Sequence, residues 1–96
     1  MHLDIEAVHF DLKEETQEFV EYRLGKIDFA KDMIVDLEFT FVKETHEYEL
    51  EAKVHFRWGN SHVIKVKSFE LHEGIDTLID KLELKVKKEK DKVKEH

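Results

Sequence analysis

The chain contains no cysteine. Disulfide scaffolds, thiolate metal centres and thiol chemistry are therefore excluded, and nothing points to an oxidising compartment. It has no proline and three glycines, so element boundaries must come from periodicity rather than from breakers. No apolar run approaches the roughly 18 residues of a membrane span. The N-terminus, Met1-His2-Leu3-Asp4, lacks the basic and apolar regions of a signal peptide. A cytoplasmic protein with no membrane partner is expected. Hydroxyls are few, namely Thr16, Thr40, Thr45, Ser61, Ser68 and Thr77, and there is no glycine-rich phosphate loop, so nucleophilic and nucleotide chemistry have no support. The histidines form no His-x-His or His-x-x-x-His pair. His55 and His62 flank a Gly59-Asn60 turn and could approach across it, which without a third ligand is an ordinary sheet pair rather than a zinc site. No enzyme, cofactor, metal or small-molecule substrate is expected.

Ninety-six residues suffice for one domain, 1–96, with one core. Ten aromatics, with 41% hydrophobic and 41% charged residues, describe a folded chain rather than a solvated tail. The net charge is -7, yet it is unevenly placed. From Lys81 to His96 seven lysines face four acids, a local +3, which leaves -10 for the first eighty residues. An acidic body ending in a lysine-rich segment is a candidate interaction surface.

Alternation places a first strand at Leu3, Ile5 and Ala7. Asp11 followed by Glu14 has capping-box spacing, and Thr16, Phe19, Val20, Leu24 and Ile27 then share one helical face. Val35, Leu37, Phe39 and Phe41 alternate with polar residues, and after a turn near Lys43 to Glu47 so do Tyr48, Leu50, Ala52, Val54, Phe56 and Trp58. Ile64 and Val66 form a last strand. A long helix from about Glu70 carries Ile75, Leu78, Ile79, Leu82, Val86 and Val93 along one stripe. The order β-α-β-β-β-α predicts an α+β two-layer sandwich: a four-stranded mixed sheet, its first two strands parallel, with both helices on one face. The core is expected at Phe19, Leu24, Ile27, Leu37, Phe39, Leu50, Val54, Ile64, Val66, Ile75, Leu78, Ile79 and Leu82.

On the final helix, Lys81, Lys85, Lys88 and Lys92 gather on one flank of the apolar stripe, with Lys87, Lys90 and Lys94 on the other. A solvated face would intersperse signs for i,i+4 pairing, whereas the first flank is an all-lysine row at spacings of four, three and four. It rises roughly 16 Å, enough to follow several phosphates of a folded RNA.

The chain resembles the ribosome hibernation promoting factors, relatives of the ribosome-associated inhibitor once called sigma-54 modulation proteins. The most specific stretch is Ile75-Asp76-Thr77-Leu78-Ile79-Asp80-Lys81-Leu82, followed by Lys88, Lys90, Asp91, Lys92, Val93, Lys94 and the closing His96. Leu3, Ile5, Glu18-Phe19-Val20, Lys26, Ile27 and Gly59 support it, so the likeness spans essentially the whole chain, in the short form without an extended tail or second domain. The resemblance implies a fold like that of double-stranded-RNA-binding domains. It also implies binding to the small ribosomal subunit, to its RNA and proteins, in the channel used by messenger and transfer RNA. Translation would thereby be silenced and ribosomes stored under stress or in stationary phase, by a chain monomeric when free. Carried over by position, Lys81, Lys88, Lys90, Lys92 and Lys94 match basic positions of helix two, and Arg23 and Lys26 those of helix one. Lys85 and Lys87 join them on the helical geometry alone. Two departures bear on RNA affinity more than on fold: His72-Glu73-Gly74 stands where the family commonly has Tyr-x-Ala, and Leu84 where it usually has Arg. Gln17 also replaces a basic position, and Glu14, Glu15, Glu18 and Glu21 turn outward from helix one. The reading from another class is a diverged module that binds a basic protein partner through its acidic surface and ignores RNA.

Overall fold

The structure, a computed structural model, describes residues 1–94, without the side chain of Lys94. That side chain and the closing His96, both part of the expected pattern, lie outside the described residues. Strand β1 (His2–Val8) leads into helix α1 (Glu14–Arg23), a 3-10 segment (Leu24–Met33), β2 (Ile34–Lys43), β3 (Tyr48–Phe56), β4 (Ser61–Ser68) and helix α2 (Leu71–Lys94). The sheet order is β1-β2-β3-β4, with β1 parallel to β2 and the rest antiparallel. The β-α-β-β-β-α order and mixed four-stranded sheet are as the periodicities predict.

Alternation explains the layers. Leu37, Phe39 and Phe41 of β2 and Leu50, Ala52, Val54 and Phe56 of β3 are fully buried on one face, where they meet Ile75, Leu78, Ile79, Leu82 and Val86 of α2. Both helices cover this face, α2 lying over β3 and β4 and α1 packing against α2. The opposite face is left to charged and polar residues, among them Asp4, Glu6, Glu38, Lys53, Lys65 and Lys67. Of the thirteen expected core positions, Phe19 and Ile64 are only half-buried, packed at the margin of the cluster.

Four local expectations are corrected. The cap of α1 is Lys13, with no side-chain cap bond, so Asp11 and Glu14 form no capping box; the acids Glu14 and Glu15 in the first turn complement the helix dipole instead. The α-helix stops at Arg23, and its apolar face continues as a 3-10 segment burying Leu24, Ile27 and Ala30 at a period of three. In β2 a bulge between Ile34 and Asp36 shifts the register, so that Ile34 is buried and Val35 points out. Strand β3 ends at Phe56, which places Trp58 in the hairpin that follows. There Phe56 N–H donates to Asn60 O at 2.8 Å, and Gly59 adopts φ 98°, a left-handed conformation open to glycine without a Cβ penalty.

Candidate nucleic-acid interface

Helix α2 is fixed at its start by side chains. Glu70 Oε2 accepts the Glu73 N–H at 2.7 Å, and Ser68 Oγ accepts the Glu70 N–H at 3.2 Å, satisfying donors that a helix N-terminus leaves open. The buried stripe from Ile75 to Val86 then seats it on the sheet. Thr16 Oγ1 and His72 Nε2, 3.0 Å apart, tie it to α1, and the His72 ring stacks on Phe19 at 4.5 Å.

One flank of α2 faces α1 and the 3-10 segment, and the cations described there are engaged. Arg23 Nε lies 2.8 Å from Asp76 Oδ1, close in charge but without the alignment of a hydrogen bond. Its guanidinium also sits over the Phe19 and Tyr22 rings, at 5.2 and 5.6 Å. Lys26 donates to Asp80, and that hydrogen bond holds its ammonium above the ordinary lysine pKa. Lys90 lies 5.2 Å over the Phe29 ring, and Lys87 pairs with Glu83 at 3.7 Å.

The other flank is different. Lys81, Lys88 and Lys92 are exposed and Lys85 half-buried, and none of the four has an ion-pair partner among the described residues. Lysines in the last turns of a helix complement its dipole, which accounts for part of the density near Lys92. Lys81 stands mid-helix in a 24-residue element, where the dipole gives no such reason. The row is a strip of uncompensated positive charge on a rigid support, suited to a polyanion.

Sequence reasoning missed a buried acid in the same helix. Glu89 occupies the next inward position after Val86 and is 2% exposed. Its Oε1 accepts from Trp58 Nε1 at 2.9 Å and Asn60 Nδ2 at 2.8 Å, and its Oε2 from His62 Nε2 at 3.2 Å. The Trp58 bond above all, with those of Asn60 and His62, outweighs burial and lowers the carboxyl pKa to about 2. The signal for it in the sequence is a lone acid three residues after Val86 and four before Val93; Val93, expected on the stripe, is 45% exposed.

His55 and His62 do not approach each other. They alternate to opposite sheet faces, His55 Nδ1 meeting Ser61 Oγ at 2.6 Å while His62 turns to Glu89. No group of three potential ligands converges among the described residues. Nor is any helix of those residues long and apolar enough to cross a membrane.

Residues 3–94 match the family described as Sigma 54 modulation protein / S30EA ribosomal protein. Over all 96 residues of both chains, the sequence is 29% identical to the ribosome hibernation promoting factor of Escherichia coli K12 and 27% identical to that of Salmonella typhimurium LT2. In fold it is similar to a ribosomal subunit interface protein from Coxiella burnetii, with TM-score 0.86 and 23% identity over 95% of this chain and 99% of that one. It is also similar to the N-terminal domain of Thermus thermophilus Protein Y, with TM-score 0.79 and 19% identity over 92% and 98%. The chain belongs to the Sigma 54 modulation protein / S30EA ribosomal protein family.

Proposed function

We propose that residues 1–96 act as one ribosome-binding domain that occupies the RNA-binding channel of the small subunit and holds ribosomes in hibernation under stress or in stationary phase. Family membership and full-length likeness to curated hibernation factors support the coarse reading. The observation that carries the finer one is the lysine row. Lys81, Lys85, Lys88 and Lys92 lie in line without acidic partners, whereas Arg23, Lys26 and Lys87 are each neutralised within the fold. Like charges so placed repel by a few tenths of a kcal/mol per pair, and an RNA backbone along the row relieves that repulsion. Arg23 and Lys26 serve as a secondary edge, open to phosphate only when Asp76 and Asp80 release them. Lys90 extends the opposite flank, on which the sequence pattern also puts Lys94.

The test is sedimentation of the purified chain with isolated small subunits through a sucrose cushion. Co-sedimentation that transfer RNA and messenger RNA displace is expected. A chain left in the supernatant contradicts ribosome binding. Co-sedimentation indifferent to both RNAs contradicts the channel, and points to the acidic surface docking on a basic protein instead.

A further inference from the structure

The sequence holds one tryptophan, and the lysine row makes no use of it. Trp58 stands in the β3–β4 hairpin and is 40% exposed. One face of its indole is covered: the ring lies parallel to Phe56, with centroids 5.3 Å and planes 8° apart. Among the described residues no other aromatic ring stacks on it. Its one polar atom is also fixed, since Nε1 donates to Glu89 Oε1, and the Glu89 side chain is only 3% exposed and held by Asn60 and His62 as well. An indole seated on one face and anchored at its N–H is already ordered, so a ligand that stacks on its free surface meets little further entropy cost.

The surroundings select the ligand. Within one helical turn of the anchoring Glu89, on one flank of α2, lie Lys85, Lys88 and Lys92 of the unpaired row. A flat π surface anchored to the helix that carries this lysine row matches an unpaired nucleotide, whose base stacks while its phosphates meet the cations. We propose that Trp58 is a stacking platform for one unpaired base of the RNA that follows the α2 lysine row, with Glu89 as the residue that positions it. The proposal rests on the ribosome-binding reading and extends it from charge to base contact. Stacking of this kind tolerates any base, so the platform adds affinity and register rather than a sequence code.

Because Trp58 is the sole tryptophan, its fluorescence reports on the site directly. The probes are a short oligouridylate and an abasic oligomer of equal length and charge. The oligouridylate should quench Trp58 emission and bind roughly tenfold more tightly than the abasic chain. Trp58→Phe should keep most of that preference, and Trp58→Leu should remove it. Changing Lys81, Lys85, Lys88 and Lys92 to Gln should weaken both probes alike and leave their ratio intact. Equal affinity for the two wild-type complexes with unchanged emission overturns the platform alone, as does binding to neither probe at low salt. Failure of the wild-type chain to pellet with small subunits overturns the reading beneath it.

Discussion

Trp58 Nε1 lies 2.9 Å from Glu89 Oε1, which joins the last third of α2 to the β3–β4 hairpin by a hydrogen bond where the apolar stripe has run out. Removing the carboxylate strands three donors from Trp58, Asn60 and His62. Glu89→Ala should therefore lower unfolding free energy by about 3 kcal/mol, and Glu89→Gln, which keeps an acceptor oxygen, by roughly half that. Urea unfolding of the two variants checks the order.

The same carboxylate makes stability depend on acid. Its folded pKa, about 2, lies below the ordinary 4.5, so the contribution is present in full above the unfolded value and is lost as pH falls through the folded one. At 1.36 kcal/mol per pH unit the difference amounts to about 3 kcal/mol. The gap in unfolding free energy between wild type and Glu89→Gln should be flat above pH 4.5 and fall steadily from there, and because the loss exceeds the gap it should change sign before pH 2. A constant gap across that window would show that the carboxylate is not held ionised by its donors.

Gly74 lies inside α2, where alanine would ordinarily gain about 1 kcal/mol of helix propensity. A Cβ at this position would sit 2.6 Å from Leu50 Cδ1 and 2.8 Å from Ser68 Cβ. The second contact involves the base of a side chain next to strand backbone, which cannot swing aside. Overpacking of this kind costs about 1–3 kcal/mol, so Gly74→Ala should melt below wild type despite the better helix former. A higher melting temperature would show that β4 yields more readily than its packing suggests.

Much of this architecture is written in periodicity. Leu37, Phe39 and Phe41, and Leu50, Ala52, Val54 and Phe56, announce their strands because burial on one face requires alternation. The lysine row is equally legible, since helical geometry alone aligns Lys81, Lys85, Lys88 and Lys92. What escaped depends on contacts distant in sequence. Asp76 and Asp80 engage Arg23 and Lys26 across more than fifty residues, so a pattern of charges along the chain cannot distinguish a free cation from a paired one. Glu89 reads as one more solvated acid until Trp58, Asn60 and His62 are brought beneath it. The bulge at Ile34 and the 3-10 turn after Arg23 are local, yet each keeps a hydrophobic face continuous while changing its period, and a fixed-period reading passes over both.

Pairing of Arg23 and Lys26 with α2 predicts a gain of binding. Changing Asp76 and Asp80 to Asn frees both cations beside the row. Affinity for small subunits should rise several-fold at low salt, and the salt dependence should steepen by about one unit for each cation that reaches a phosphate. Thermal stability should change little, because these pairs are solvent-exposed. Filter binding over a range of salt, alongside thermal melts, reads both.

The most direct measurement is the salt dependence of small-subunit binding for the variant with Lys81, Lys85, Lys88 and Lys92 all changed to Gln. Each lysine that neutralises a phosphate contributes about one unit to the slope of log K against log salt. The variant should bind far more weakly at low salt, with a slope lower by up to about four units and a melting temperature close to that of wild type. Wild-type affinity and an unchanged slope in the variant would contradict the assignment of this row as the RNA contact.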